Sequence, residues 1–273
     1  MAKDVVPELM KSIEKAFQIH TENDKVLSRV SKRIRDGTAT QEDGHMYAIR
    51  IGKDSSKALQ DVLTAENLPD GKLYYNIATR TVIPVLENNQ ALVNEAAAKI
   101  QKANDAKRKI SLNAVKPDFP KERILGLIDK MTADDIDLDE ALVWIGEPIV
   151  NNSEAFFDDF IRDNAEFRSD AGLKTTITRI AESNCCKWCA DLEGSWTYGD
   201  HPDEIFARHE FCRCSVTYQS ERTSQNVWSK KTWQSTPDEL ERRKSTERKT
   251  MSIKERQQVL ERLAIDKEKS KRR

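Results

Sequence analysis

The sequence predicts an α+β protein in which helices dominate, and three patterns support this prediction. Apolar residues recur every three or four positions through residues 1–170, which is typical of amphipathic helices. Short segments of alternating β-branched residues follow in residues 171–233 and indicate strands. Helix-capping patterns return in residues 234–273. We therefore expect long N-terminal helices, then a small β-rich module, then a charged helical tail.

The N-terminal helical region is divided by residues that start or stop helices. Gly37 ends the first helix, and Thr40 with Asp43 three residues later caps the second. Pro84 should kink the third helix or mark its boundary, because proline has no N–H group to donate. The predicted helices cover about 9–34, 40–63, 73–109, Lys121–Met131 and Leu138–Ile145, and a further helix contains 156–167.

Aromatic residues on the last of these helices predict a buried face. Phe156 and Phe160 are four residues apart, as are Phe157 and Ile161, so each pair lies on one side of a helix. Such a stripe is more often core than binding site. The strand signals lie at 175–180, 195–198 and 215–218, and all five cysteines fall between the first and the last of them.

Composition and charge exclude several classes of protein. The formal net charge of the 273 residues is −1, so no overall field attracts nucleic acid. A charged fraction of 33% and a mean hydropathy of −0.71 favour amphipathic helices over one thick core. No apolar run reaches the roughly 18 residues that a membrane span needs, and the N-terminus lacks a secretory signal. We expect folding in a reducing cytoplasm, where thiols stay available for a metal ion.

Cysteine and histidine residues form two ligand-like groups in the β-rich module. Cys186 and Cys189 have the C-x-x-C spacing that lets two thiolates converge on one tetrahedral ion. About twenty residues later, His209, Cys212 and Cys214 form an H-x-x-C-x-C group. Soft sulfur ligands favour zinc over magnesium or calcium. We predict one Zn²⁺ bound by four of these five residues.

The identity of the fourth ligand is open at the level of sequence. Cys186, Cys189 and Cys212 are the first choice for three positions, and His209 or Cys214 takes the fourth. Four protein ligands leave no coordination position for water or substrate, so the predicted site is structural.

Disulfides and free thiols are the alternatives to zinc. A reducing compartment disfavours disulfides, although the outside of a cell is oxidising. A redox role for the C-x-x-C pair would need a thioredoxin-like βαβ setting, which the sequence lacks. Cys185 should face away from the site, because neighbours on an extended chain point in opposite directions.

The same residues resemble the C-terminal region of Mu F-like minor head proteins of tailed phages. The resemblance covers about 171–233 in three ordered phrases, AGLKTTITRI-AESNCCKWCADLEGSWTYG, ARHEFCRCSVTY and QNVWSKKTW. Glu210 departs from the commoner family wording, which has proline after the histidine. The matching positions are Cys186, Cys189, Leu192, Gly194, His209, Cys212 and Cys214.

This resemblance implies a low-copy, non-enzymatic protein that acts in head morphogenesis. The implied partners are the portal protein and the major capsid protein, with packaged DNA as a further candidate. The implied location is the inside of the virion head, after assembly in the host cytoplasm. The zinc ion would stabilise a β-module too small to fold on its own core.

Two other functions compete with head assembly. The first is a metal-dependent nuclease, in which His201 and His209 lie near the metal while Arg208 and Arg213 contact phosphate. Its candidate carboxylates are Asp191, Glu193, Asp200, Asp203 and Glu204, whose spacing fixes no geometry. The second is a non-catalytic nucleic-acid-binding module that stacks bases on aromatic residues. Its interleaved aromatic and basic residues are Trp188, Trp196, Trp228, Trp233, Lys187, Arg213, Lys230 and Lys231.

Overall fold

A computed structural model describes residues 4–183 and 185–222, and it has the predicted order of helices followed by strands. The helices are α1 Val6–Asn23, α2 Lys25–Arg35, α3 Gln41–Val62, α4 Tyr75–Arg108, α5 Lys121–Met131, α6 Leu138–Ile145, α7 Glu147–Asp170 and α8 Lys187–Asp191. The strands are β1 Lys174–Ile180, β2 Gly194–Thr197 and β3 Ser215–Glu221. The α+β class with dominant helix is therefore confirmed. The predicted tail 234–273 and the end of the β-rich module at 223–233 lie outside the described residues.

The first predicted helix, 9–34, is wrong as a single element, because the chain breaks at Asp24. Asp24 has an extended backbone with a ψ of 100°. Its carboxylate accepts the N–H groups of Val26 at 2.8 Å and Leu27 at 2.9 Å, which caps α2. The same carboxylate accepts the Nε–H of Arg50 on α3 at 2.5 Å. The apolar spacing continues across the break, so periodicity alone did not reveal the cap.

Pro84 does not end the third predicted helix, since α4 continues through it for 34 residues. Proline removes one hydrogen bond from the helix, to the carbonyl of Arg80 four residues earlier. Both Pro84 and Arg80 are exposed, so water can replace the missing donor. The helix tolerates proline because the lost bond lies on its solvent side.

The helical core forms where α7 packs against α3 and α4. The predicted aromatic face of α7 is confirmed, because the Phe156, Phe157 and Phe160 side chains are all buried. On α3, two glycines allow close approach to α7. A Cβ at Gly44 would lie 2.5 Å from the Phe157 ring, and one at Gly52 would lie 2.8 Å from the Val150 Cα.

The three strands form one antiparallel sheet in the order β2-β1-β3. Three sheet residues, Ile177, Val216 and Tyr218, are buried in the same hydrophobic cluster as the helices. The sheet therefore shares a core with the helices, and it does not depend on a small core of its own.

Side chains from the helices cover the outer edge of β3. The Gln41 Oε1 accepts the Tyr218 N–H at 2.7 Å. The Arg108 guanidinium donates to the Ser220 carbonyl at 3.3 Å. Two outward-facing backbone groups of this edge strand are thus satisfied within the chain.

Among the described helices, none combines the length and the apolar character needed to cross a bilayer.

Replacing Gly52 with alanine should destabilise the protein, because the new methyl group would meet the α7 backbone at Val150 rather than a flexible side chain. We expect the free energy of unfolding to fall by about 1–3 kcal/mol in urea titrations. Gly126→Ala is the matched control, since an exposed Cβ on α5 would meet nothing within 4 Å. That change should stabilise by about 0.5–1 kcal/mol. Equal effects of the two substitutions would contradict the close packing of α3 on α7.

Asp54 should make stability depend on pH. Burial, followed by the negative charge of Asp24, raises the pKa of Asp54 from 3.8 to about 6. A carboxyl with a raised pKa in the folded state contributes stability below its unfolded pKa, and this contribution is lost as the pH rises through the folded pKa. Asp54→Asn should therefore stabilise the protein at pH 7 by about 1–3 kcal/mol and change little at pH 4. Asp129→Asn on exposed α5 should change little at either pH, and a similar profile for both variants would exclude this role of Asp54.

Candidate metal centre

The C-x-x-C segment forms a knuckle at the start of α8. Cys186 is the N-cap residue of this short helix, and Cys189 lies buried within it. The backbone N–H of Cys189 donates to the Cys186 sulfur and holds the pKa of that thiol below its ordinary value. Helix formation thus turns both sulfurs of the motif toward the same space and favours a thiolate at Cys186.

The second ligand segment is a tight turn just before β3. The Cys212 N–H donates to the His209 carbonyl at 3.1 Å. Phe211 adopts a positive φ of 59° inside this turn, an uncommon conformation for an aromatic residue. The turn brings His209 and Cys212 to the same side of the chain, opposite the first knuckle.

All five predicted ligands come together, in two groups of three that share Cys189. Cys186, Cys189 and His209 form one group, and Cys189, Cys212 and Cys214 form the other, with ligand atoms within 4.8 Å of one another in each. This cluster could bind a metal ion such as zinc. Cys189 is its centre, since it belongs to both groups and is fully buried.

The distances around Cys189 approach those of a zinc tetrahedron. The Cys189 sulfur lies 3.7 Å from the Cys212 sulfur and 3.1 Å from the His209 Nε2. The Cys186 sulfur lies 3.3 Å from the same Nε2. Zinc bond lengths place two bound sulfurs about 3.8 Å apart, and a sulfur and an imidazole nitrogen about 3.5 Å apart. Small movements of these side chains would therefore accommodate the ion.

His209 is held in the tautomer that a metal requires. Its Nδ1 lies 2.6 Å from the Glu210 carbonyl oxygen. A carbonyl can only accept, so Nδ1 carries the proton and donates it. The Nε2 lone pair is then free and faces the sulfurs of Cys186 and Cys189. Backbone fixing of the second ring nitrogen is the usual support of a metal-bound histidine.

Arg179 on β1 places a buried positive charge against the sulfurs. Its side chain is 1% exposed and donates to the Ile205 and Ala207 carbonyls. Its Nη2 lies 3.7 Å from the Cys189 sulfur and 3.8 Å from the Cys212 sulfur. Within residues 4–183 and 185–222, no carboxylate oxygen lies within 4.0 Å of this guanidinium.

Without a metal ion, Cys189 stays protonated. Burial raises the pKa of its thiol to about 12, with a further increase from the neighbouring Cys214 thiol and an opposing effect of Arg179. Metal binding must therefore displace a proton from this sulfur, which makes affinity weaker at lower pH.

Buried ion pairs attach the second ligand segment to α7. Arg208 pairs with Asp158 and, at 2.7 Å, with Glu154. Arg213 pairs with Glu154 at 2.8 Å and with Glu147 at 2.6 Å. The two arginines flank the His209–Cys212 turn, so these bonds fix its position. Both guanidinium groups are paired with carboxylates. This pairing argues against the phosphate contacts that the nuclease alternative assigned to Arg208 and Arg213.

The other candidate residues do not belong to the metal-binding groups of the described residues. Cys185 belongs to neither group, in agreement with the prediction that it faces away, although it packs at the edge of the cluster. The His201 ring contacts Tyr198 and Phe206, with centroid distances of 5.3 and 5.9 Å. The nuclease carboxylates Asp191, Glu193, Asp200, Asp203 and Glu204 also contribute to neither group within the described residues.

Arg179 and Glu154 were missed by the sequence reasoning. A lone arginine in a strand and a glutamate in a charged helix are ordinary surface residues by sequence pattern alone. Their burial depends on partners far along the chain, such as Arg208, which is 54 residues from Glu154. The only local signal was the position of Arg208 and Arg213 on either side of the H-x-x-C motif.

Replacing Glu154 with glutamine should strongly destabilise the protein, because it leaves two largely buried guanidinium groups with less compensation. We expect a loss of about 3–5 kcal/mol in the free energy of unfolding. Glu95→Gln is the control, since the Glu95–Lys99 pair on α4 is exposed and screened by solvent, so its loss should change the stability little. Urea titration of both variants measures the difference. A loss at Glu154 no larger than at Glu95 would show that the buried ion pairs do not hold the turn.

Comparison with known proteins gives no relative from which to transfer a function. No family model, curated protein or solved structure matches this chain. Its function therefore has to be inferred from the metal centre and from the sequence pattern.

Proposed function

We propose that this protein is a structural component of a phage head and that its cysteine cluster holds one structural zinc ion. The observation that carries the zinc proposal is a chain of short distances: the Cys189 sulfur lies 3.1 Å from the His209 Nε2 and 3.7 Å from the Cys212 sulfur, and the Cys186 sulfur lies 3.3 Å from the same Nε2. These distances lie near the edges of a zinc tetrahedron. A buried cation beside two of the sulfurs adds support, because it favours thiolates over thiols.

A structural role fits the donor set better than a catalytic one. Only cysteine and histidine belong to the metal-binding groups of the described residues, and three of the cysteines are buried. Four such ligands would fill the coordination sphere and leave no site for a water nucleophile. The zinc ion would crosslink the Cys186–Cys189 knuckle, which follows β1, to the His209–Cys212 turn, which precedes β3.

The assignment to a phage head rests on the resemblance of residues 171–233 to Mu F-like minor head proteins. The charged, exposed helical surface suits docking onto a large oligomer such as the portal or the inner capsid wall, with packaged DNA as a further contact. The nuclease alternative has lost its phosphate-binding arginines, since Arg208 and Arg213 are paired with carboxylates. Head assembly is therefore the function that we propose.

Purified protein, prepared without chelator, should contain about one zinc ion per chain by elemental analysis. Chelation should lower the melting temperature by about 5–10 °C, because the loops lose their crosslink. Far-UV circular dichroism should keep its helical signal, because the sheet shares its core with the helices. Cys189→Ser should reproduce the chelated state, whereas Cys185→Ser should retain zinc. If the purified protein contained no zinc, and if a chelator left its melting temperature unchanged, the site would be excluded.

The assembly role predicts physical association with phage particles. The protein should co-purify with procapsids and be detected by mass spectrometry of purified heads at low copy number. Portal protein should capture it from a mixture of purified components. Absence from both procapsids and virions of the phage that encodes it would exclude a minor head protein.

A further inference from the structure

Among the described residues, no carboxylate neutralises the buried positive charge of Arg179. A guanidinium cannot lose its proton in a protein, so its burial must be compensated by hydrogen bonds and by negative charge. Two carbonyl oxygens supply hydrogen bonds, and the Nε has no partner among the described residues. The groups that can supply a negative charge are the sulfurs of Cys189 and Cys212, at 3.7 and 3.8 Å.

The charge of a zinc centre depends on how many of its ligands are thiolates. Zn²⁺ with three thiolates and one neutral imidazole carries a net charge of −1, and four thiolates give −2. A single guanidinium neutralises the first centre and leaves the second with an unbalanced buried charge. Since uncompensated charge is costly in an apolar site, Arg179 favours three thiolates and one histidine.

Contacts within the cluster indicate which residues fill these places. His209 has its Nε2 lone pair directed at the sulfurs of Cys186 and Cys189. The Cys186 sulfur lies 3.3 Å from this nitrogen. Cys212 and Cys189 contact the guanidinium. Cys214 lies within 4.8 Å of Cys189 and Cys212, but among the described residues it has neither Arg179 nor His209 as a hydrogen-bond partner.

We propose that Arg179 is the built-in counter-ion of a zinc centre with three cysteine ligands and one histidine ligand, and that Cys214 lies beside this centre without binding the ion. The ligands are Cys186, Cys189, His209 and Cys212. On binding, the three ligand thiols release their protons to solvent as the zinc–sulfur bonds form. This inference rests on the zinc site proposed above, and it identifies both the ligand set and the residue that selects it.

Cobalt substitution of the full-length protein tests the ligand set, because the intensity of the thiolate-to-Co²⁺ charge-transfer band follows the number of bound sulfurs. Cys214→Ser should leave the spectrum and the metal stoichiometry unchanged. Cys186→Ser should reduce the band by about one third, since two thiolates remain of three. His209→Ala should shift the ligand-field bands, because a nitrogen ligand is lost.

Substitution of Arg179 tests its role as the counter-ion. Arg179→Met should weaken zinc binding by about 10- to 100-fold in competition with a chromophoric chelator. Arg179→Lys retains the charge and should recover most of that affinity. Arg108→Met is the control, because Arg108 contacts the sheet edge and not the sulfurs. If Arg179→Met does not fold, Arg179→Gln replaces it, since glutamine keeps hydrogen-bond donors and removes the charge, and zinc affinity equal to wild type in that variant would overturn the role of Arg179.

Three results separate failure of this inference from failure of the zinc site. Loss of the metal in Cys214→Ser, with an unchanged spectrum in His209→Ala, would show a four-cysteine centre and overturn the inference while zinc binding stands. Equal zinc affinity of Arg179→Met and wild type would overturn the role of Arg179. Wild-type protein that binds neither zinc nor cobalt would instead overturn the proposed function.

Discussion

The buried ion pairs between α7 and the turn before β3 are the constraint on which the metal centre depends. A loop can present ligands to an ion only if its own backbone is held in place. Glu154 does this by binding Arg208 and Arg213 at once, one on each side of His209 and Cys212. The helix that supplies Glu154 also carries the aromatic core on another face, so the position of the turn is set by the packing of the whole helical body.

A second fixed element reaches the site from the sheet. β1 lies in the centre of the three strands and carries Arg179 toward the sulfurs, while Ile177 on the same strand faces the shared core. Side chains alternate between the two faces of the strand, and the odd-numbered residues, which include both Ile177 and Arg179, point inward. A strand that is locked by the core thus places a charge against Cys189 and Cys212. The segments that carry the candidate ligands are held by ion pairs from α7 and lie beside β1. Because both elements are fixed by the core, irregular segments can bring five potential ligands together.

The sequence was informative wherever a signal is local. The bounds of α5 and α6, the capping of α3 at Thr40 and the alternating strand at 175–180 all follow from neighbouring residues, and the structure reproduces them. The C-x-x-C and H-x-x-C-x-C spacings likewise identified the ligands that meet. The break at Asp24 was missed because apolar periodicity continues across it. Arg179 and Glu154 were missed because their partners are separated along the chain, and no local pattern records a contact that only tertiary packing creates.

The covering of β3 by Gln41 and Arg108 has a consequence for the behaviour of the protein at high concentration. An unprotected edge strand is a template on which a second molecule can add a strand, and many chains held at high concentration would polymerise in this way. Here the amide of Tyr218 and the carbonyl of Ser220 are already engaged by side chains of the same molecule. A second molecule would have to displace both side chains before it could pair with β3, so this edge is not a ready template for polymerisation.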